Sequence, residues 1–214
     1  MTAQNIYDKL IRAGFTHAGA CALLGNWQAE SELKSNNVEN RSGLNDAVYT
    51  AAVDQGMISR ESFTSDSYGY GLAQWTDKIR KSNLYDYAKS CGASISDTDM
   101  QVDFALLEFP QEAPDTLRLC MSSDDMRKCT EWICRYYERP AVNNVSYRYE
   151  CAQKFSAELT AVTAAEPQSF PPDQSVLVLQ AVLVANGYPA QVTGYKSKEF
   201  IGLMREFVDD MENC

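Results

Sequence analysis

The segment from residue 17 to residue 30 constrains the fold most, because it carries almost no charge until its last position. Its small residues recur about once per helical turn, at Ala18, Ala22, Gly25 and Ala29. A helix that is apolar on nearly every side is buried among other elements. The segment therefore predicts a central helix, capped by Thr16, with Glu30 as a lone carboxylate at its end.

Further helical patterns run through the first 163 residues, and they predict a mainly α fold. Apolar residues at helical spacing favour helices near 6–11, 47–53, 78–90, 97–107, 123–137 and 146–159. Residues 57–72 are rich in Ser, Asp, Tyr and Gly, which predicts a turn or small hairpin. The first domain is thus expected to span 1–163, as a helical unit with a small hairpin.

Three prolines, Pro167, Pro171 and Pro172, interrupt the helical pattern and predict a linker at 164–173. Residues 174–214 return to helical spacing, which predicts a second, small unit of three helices.

The net charge of −10 argues against nucleic acid and anionic membrane surfaces as partners, since both favour Lys and Arg. No stretch approaches the length of a membrane span, and we expect neither membrane insertion nor a signal peptide. With His17 as the single histidine, no metal or cofactor site is predicted.

The seven cysteines contain no C-x-x-C pair, and an odd count does not indicate a disulfide framework. One or two bridges among Cys120, Cys129, Cys134 and Cys151 stay open at this stage. His17 and Cys21 lie four residues apart, but a buried thiol beside a helix-start histidine is favoured over a catalytic pair.

Glu30 has two interpretations. Burial at the negative end of a helix disfavours the charged form of a carboxyl, and a protonated glutamic acid can protonate a glycosidic oxygen. Alternatively, Glu30 is a last-turn residue paired with a basic side chain.

The glycine-aromatic stretch 68–75 favours the first interpretation. Gly69 and Gly71 let the backbone approach a ligand, while aromatic faces can pack on sugar rings and an amide can bind hydroxyls. The candidate substrate-binding residues are Tyr68, Tyr70, Gln74 and Trp75. The alternative is a tight turn whose aromatic residues fill the core.

Four motifs together resemble the phage tail lysozyme family of bacteriophage peptidoglycan hydrolases, in the lysozyme-like superfamily with goose-type lysozymes and soluble lytic transglycosylases. They are Gly-Asn at 25–26, Ala-Glu-Ser at 29–31, Gly-Tyr-Gly-Leu-Ala-Gln-Trp at 69–75 and Tyr-Glu-Arg-Pro at 137–140. The resemblance covers about residues 3–160. It implies a lysozyme-like α+β helical domain that cuts the glycan strand of peptidoglycan, with Glu30 as the catalytic acid.

The resemblance also implies candidates for a second carboxylate. Goose-type enzymes carry aspartates around the Gly-Leu-x-Gln turn, and Asp66 and Asp77 lie near those places. We favour Asp66, to position a water or stabilise oxocarbenium charge, with Glu32 and Glu39 as further candidates. Glu138 is expected to be structural, ending a helix that backs the cleft.

Residues 174–211 resemble a peptidoglycan-binding three-helix domain through Leu-Gln at 179–180, Gly-Tyr at 187–188 and the turn at Gly194. Such a unit would raise the local substrate concentration for the catalytic domain.

The expected function is a glycosidase of bacterial peptidoglycan, of muramidase or glucosaminidase type, acting as a bacteriolytic phage endolysin or tail lysin. We expect a monomer or part of a larger phage assembly, reaching the extracellular wall by lysis or on a virion. The alternatives are a lytic transglycosylase, which would use Glu30 with the sugar's 6-hydroxyl as nucleophile, and a non-catalytic wall-binding or structural tail module.

Overall fold

The structure, a computed structural model, describes residues 2–159. This part of the chain is mainly helical. The helices are α1 (Ala3–Arg12), α2 (His17–Ser31), α3 (Asp46–Asp54), α4 (Arg60–Ser65), α5 (Lys78–Ser90), α6 (Thr98–Glu112), α7 (Pro114–Cys120), α8 (Met126–Trp132) and α9 (Val145–Glu158). A 3-10 turn spans Asn40–Ser42, and α8 continues as a π-helical turn, Ile133–Glu138. The predicted linker 164–173 and unit 174–214 lie outside the described residues.

Capping side chains set several helix starts as the sequence predicts. The Thr16 hydroxyl accepts a hydrogen bond from the N–H of Gly19 at 3.0 Å, and Asp97 caps α6 in the same way. Asp125, rather than Ser123, caps α8, because its carboxylate accepts from Lys128. The short helix α7 was not predicted, and it begins at Pro114, which suits a first helical position.

The hairpin predicted at residues 57–72 is smaller and lies later in the chain than expected. Residues 60–65 form α4, and no strand occurs in residues 2–159. In this part of the chain, antiparallel pairing is limited to single bridges that join Val38 to Tyr70 and Tyr70 to Trp75.

Helix α2 is the centre of the domain, as its apolar sequence predicts. Leu23, Leu24 and Trp27 are at most 1% exposed, and the helix packs most extensively against α9 and α8. None of the helices in the described part is long and apolar enough to cross a membrane.

The contact between α2 and α9 is unusually close at Gly25. A Cβ atom there would lie 2.5 Å from the carbonyl oxygen of Arg148 and 2.7 Å from the nitrogen of Ala152. Only glycine lets the two backbones approach this far, so Gly25 sets where α9 lies against α2.

We expect Gly25→Ala to lower the free energy of unfolding by about 2 kcal/mol, because the added methyl group forces the α9 backbone away. This loss outweighs the helix propensity that alanine gains. Chemical denaturation of the full chain measures it. The control is Gly56→Ala, where φ is +76° but the added Cβ meets nothing within 4 Å, so we expect about 1 kcal/mol from backbone strain alone. An alanine at 25 that leaves stability unchanged would contradict the close-packing argument.

Candidate active site

The end of α2 presents Glu30 and Ser31 in different directions. The chain turns away through two residues with positive φ, Glu32 at 54° and Leu33 at 57°. The Ser31 hydroxyl is buried and lies 3.0 Å from the carbonyl oxygen of Leu72, to which it donates. Ser31 therefore ties the helix end to the glycine-aromatic turn, while the Glu30 side chain stays 15% exposed.

Glu30 borders a cleft of about 750 Å³ and an adjoining side pocket of about 300 Å³. These volumes are in the range of sites that bind small molecules or parts of longer ligands. The residues that line both spaces are Glu30, Glu39 and Gln74. The cleft is also lined by Gly69, Ala73, Thr76, Asp77, Ile79, Arg80, Glu112, Glu138, Arg139, Pro140 and Ala141.

Backbone hydrogen bonds hold the turn at residues 69–75 in place. Tyr70 and Trp75 exchange two of them, at 3.2 and 3.0 Å, and the N–H of Gly71 donates to Asn37 at 2.9 Å. Gly71 has φ of +75°, which glycine adopts without strain. The Gln74 amide donates to the carbonyl oxygens of Asn37 and Gly71. The predicted binding residue Gln74 thus reaches the cleft in a fixed orientation.

The predicted aromatic residues are placed differently. Tyr70 and Trp75 are 0% exposed; the Tyr70 hydroxyl pairs with Thr50 and the Trp75 indole donates to Glu108. Tyr68 is partly exposed, and its carbonyl oxygen accepts from Lys81. The alternative interpretation, aromatic residues that fill the core, describes Tyr70 and Trp75. Their sugar-stacking role stays a prediction, without an exposed ring face to support it.

Asp66 follows α4 and faces Lys81. Its carboxylate accepts from the Lys81 ammonium at 2.5 Å, from the Tyr49 hydroxyl and from the N–H of Tyr68. Lys81 is 0% exposed; burial lowers its pKa and the hydrogen bond to Asp66 opposes that shift. Asp66 is not among the residues that line the cleft or the side pocket. Its catalytic role stays a prediction, beside a clear structural one.

The other carboxylate candidates also have visible contacts. Glu39 accepts from the N–H of Gly69 at 3.2 Å and lies on the same cleft as Glu30. Asp77 caps α5, where its carboxylate accepts from Ile79 and Arg80. Glu32 is 67% exposed and pairs with Lys34. Of these, Glu39 is the one that shares both spaces with Glu30.

Glu30 is held by Arg148 from α9. The guanidinium donates to Glu30 at 2.6 Å through Nη2, and to the main-chain and side-chain oxygens of Asn26 through Nη1. Arg148 is 5% exposed. Glu30 thus combines both interpretations of its position, since it lies on the cleft and has a basic partner.

A second buried salt bridge, between Arg80 and Glu108, also borders the cleft. Arg80 donates to both carboxylate oxygens of Glu108, at 2.8 and 2.7 Å, and to the carbonyl oxygen of Tyr137. The Tyr137 hydroxyl and the Trp75 indole donate to Glu108 as well. Each guanidinium nitrogen of Arg80 and each carboxylate oxygen of Glu108 therefore has at least one hydrogen-bond partner.

The charges of both pairs act on Glu138, which has no hydrogen bonds of this kind. Both carboxyl oxygens are shielded from solvent and have no hydrogen-bond partner among the described residues. Burial first, and then the negative charge of Glu30, raises the pKa of Glu138 well above the ordinary glutamate value. The expectation of a purely structural residue does not account for these oxygens. Its motif, a carboxylate before Arg-Pro at a helix end, is the signal that could have drawn attention.

Within residues 2–159, Cys21 Sγ lies 3.8 Å from His17 Nε2, but the surrounding contacts favour a structural pair. Cys21, Cys91, Cys120, Cys129, Cys134 and Cys151 are free thiols in the structure. His17 hydrogen-bonds Tyr7 and Ser156, at 2.7 and 2.8 Å, and burial raises the pKa of Cys21 to about 11. These contacts support the structural interpretation of the pair.

Comparison with known proteins gives a family match over the part of the chain that contains the cleft. A search of curated proteins found no match to the chain. The family model for phage tail lysozymes matches residues 1–159, which include the whole cleft and its carboxylates. The chain therefore belongs to the phage tail lysozyme family.

Proposed function

We propose that this protein hydrolyses the glycan strand of bacterial peptidoglycan, with Glu30 as the general acid. Membership in the phage tail lysozyme family indicates a peptidoglycan-lytic enzyme. The observation that carries the finer proposal is the position of Glu30, a mostly buried carboxyl at the junction of the cleft and the side pocket.

The reaction needs one proton donated to the leaving oxygen and one proton removed from the attacking water. Glu30 gives its proton to the glycosidic oxygen as the bond from that oxygen to the anomeric carbon breaks. A water molecule then forms the new bond to the anomeric carbon, and its proton returns to the Glu30 carboxylate. Either a second carboxylate or the substrate's own acetamido group stabilises the positive charge between these steps. Asp66 is the carboxylate predicted from the sequence, and Glu39 is the better placed by its position on the cleft.

A lytic transglycosylase is the second candidate. It would use Glu30 first as acid and then as base toward the sugar's 6-hydroxyl, with no second carboxylate. The salt bridge from Arg148 suits this version too, since it would stabilise the Glu30 carboxylate between the two steps.

We expect Glu30→Gln to lower the rate of peptidoglycan lysis by at least about 100-fold, because glutamine cannot donate the proton that the leaving oxygen needs. Turbidity loss of purified peptidoglycan measures the rate, and circular dichroism checks that the variant folds without the Arg148 ion pair. The control is Glu150→Gln, an exposed glutamate on α9 that should leave lysis unchanged. A folded Glu30→Gln variant with normal lysis would remove Glu30 from the mechanism.

Mass spectrometry of the digested glycan should show fragments with reducing ends if water is the nucleophile. Fragments with 1,6-anhydro ends would instead establish the transglycosylase. Released peptides without any glycan cut would contradict both versions, and no release at all would favour the non-catalytic module.

We expect Asp66→Asn to destabilise the domain by about 3 kcal/mol, because the buried Lys81 ammonium then loses its carboxylate partner. Chemical denaturation gives this loss, and the lysis rate per folded molecule separates it from catalysis. A rate within threefold of the parent would leave Asp66 a structural role only. A 100-fold loss in folded protein would establish the predicted second carboxylate.

A further inference from the structure

We propose that Glu30 and Glu138 share a single proton, with Arg148 as the counter-ion of whichever carboxyl is ionised, so that Glu138 positions the catalytic proton on Glu30. This inference rests on the proposed role of Glu30. It assigns Glu138 a function that acts through Glu30.

The first support is the charge balance of the buried cluster. It contains three carboxyls, Glu30, Glu108 and Glu138, and two guanidinium groups, Arg80 and Arg148. With every group ionised, the sum is 2 − 3, or −1. One proton among the carboxyls makes the cluster neutral, which the burial of most of these side chains favours.

The second support is that only two carboxyls of the cluster are suited to hold the proton. Glu108 accepts two bonds from Arg80 and further bonds from Trp75 and Tyr137, so its ionised form is fully satisfied. Glu138 accepts none, and Glu30 accepts one bond from Arg148. The proton therefore belongs to the pair formed by Glu30 and Glu138.

The third support is an unused donor in the same cluster. The Nε–H of Arg148 is buried and has no acceptor among the described residues, although Nη1 and Nη2 of the same guanidinium are bonded. Both oxygens of Glu138 are unused acceptors. Arg148 also acts on Glu138 through its charge, which lowers the pKa of that carboxyl. Arg148 thus has a free N–H donor and a charge with which to stabilise a second carboxylate.

Two arrangements of equal charge follow. In one, Arg148 pairs with an ionised Glu30, across the 2.6 Å contact seen in the structure, and Glu138 holds the proton. In the other, Glu30 holds the proton and Arg148 balances an ionised Glu138. The second arrangement is the one that can protonate a glycosidic oxygen. When it does so, both carboxyls are ionised, and the proton released by the attacking water restores the pair.

The neighbouring ionisable groups do not supply an alternative. Cys134, on the same helical segment as Glu138, has its pKa raised by burial, and the buried Tyr137 has its pKa raised in the same way. Both stay neutral at the pH where lysis would occur. Arg80 faces Glu138 from α5 and stays charged.

The test is the pH dependence of lysis in Glu138→Gln. Glutamine cannot take the negative charge, so Glu30 stays the sole carboxylate partner of Arg148 and loses its proton at lower pH. We expect the alkaline limb of the pH profile, measured as initial rate at low substrate concentration, to move to lower pH by about one unit or more. The rate at acidic pH should stay within about threefold of the parent.

Two matched variants control this experiment. Glu138→Asp keeps a carboxyl and should restore the alkaline limb at least in part. Glu131→Gln removes a carboxyl from the same helical segment that is 39% exposed and pairs with Arg135, and its profile should match the parent. An alkaline limb in folded Glu138→Gln at the parent's pH would overturn the proposal.

A second measurement needs neither activity nor a folded Glu138 variant. In protein labelled with ¹³C at glutamate carboxyls, we expect the Glu138 signal to titrate at lower pH in Glu30→Gln than in the parent, by about one unit or more. An unchanged titration would overturn the shared proton even if Glu30→Gln is inactive. A shifted titration in a Glu30→Gln variant that still lyses would instead remove the proposed function and leave the proton coupling intact.

Discussion

The buried ion pair between Arg148 of α9 and Glu30 of α2 joins two helices that are far apart in the sequence, at the edge of the cleft. Gly25 lets α9 approach α2 until their backbones touch, which brings the Arg148 guanidinium beneath the last turn of α2. A buried pair gains little unless its remaining donors are satisfied. Asn26, one turn before Glu30, supplies two oxygens to Nη1 of the same guanidinium, which leaves only Nε without an acceptor among the described residues.

The opposite side of the cleft is fixed by a different kind of contact. Ser31 reaches the carbonyl oxygen of Leu72, and the buried Gln101 amide accepts from the N–H of Leu72 while it donates to Ser35 and Ile95. A buried amide whose donors and acceptor are hydrogen-bonded is held rigidly and carries little desolvation cost. The Glu-Ser sequence therefore has a divided role, with Glu30 in the cleft and Ser31 holding the turn that borders it.

Local chemistry explains which parts of this structure were predictable. Helix α2 follows from its apolar sequence, and caps such as Thr16 and Asp97 mark helix starts because their side chains bond nearby N–H groups. Glu30 could be singled out from its place at the end of α2. The burial of Tyr70 and Trp75 was not predictable, since an aromatic residue in a turn can face core or solvent equally well.

The ion-pair partners of Glu30 and Asp66 could not be predicted from the sequence, for a different reason. Arg148 lies 118 residues from Glu30 in the sequence, and Lys81 lies 15 residues from Asp66 on another helix. Neither spacing carries a local signal, because the packing of α2 on α9 and of α4 on α5 decides which charges meet.

A comparison of glutamate with glutamine at position 138 shows what is unusual about the buried carboxyl there. A glutamine at that position would have nearly the same volume and would avoid burying a carboxyl without a hydrogen-bond partner. The buried carboxyl therefore makes no hydrogen bond in the described structure that would explain its presence there. What only the carboxyl can do is take up and release a proton beside Glu30. The unpartnered carboxyl of Glu138 therefore fits the proposed proton sharing with Glu30, since departures from good local chemistry are expected at functional sites.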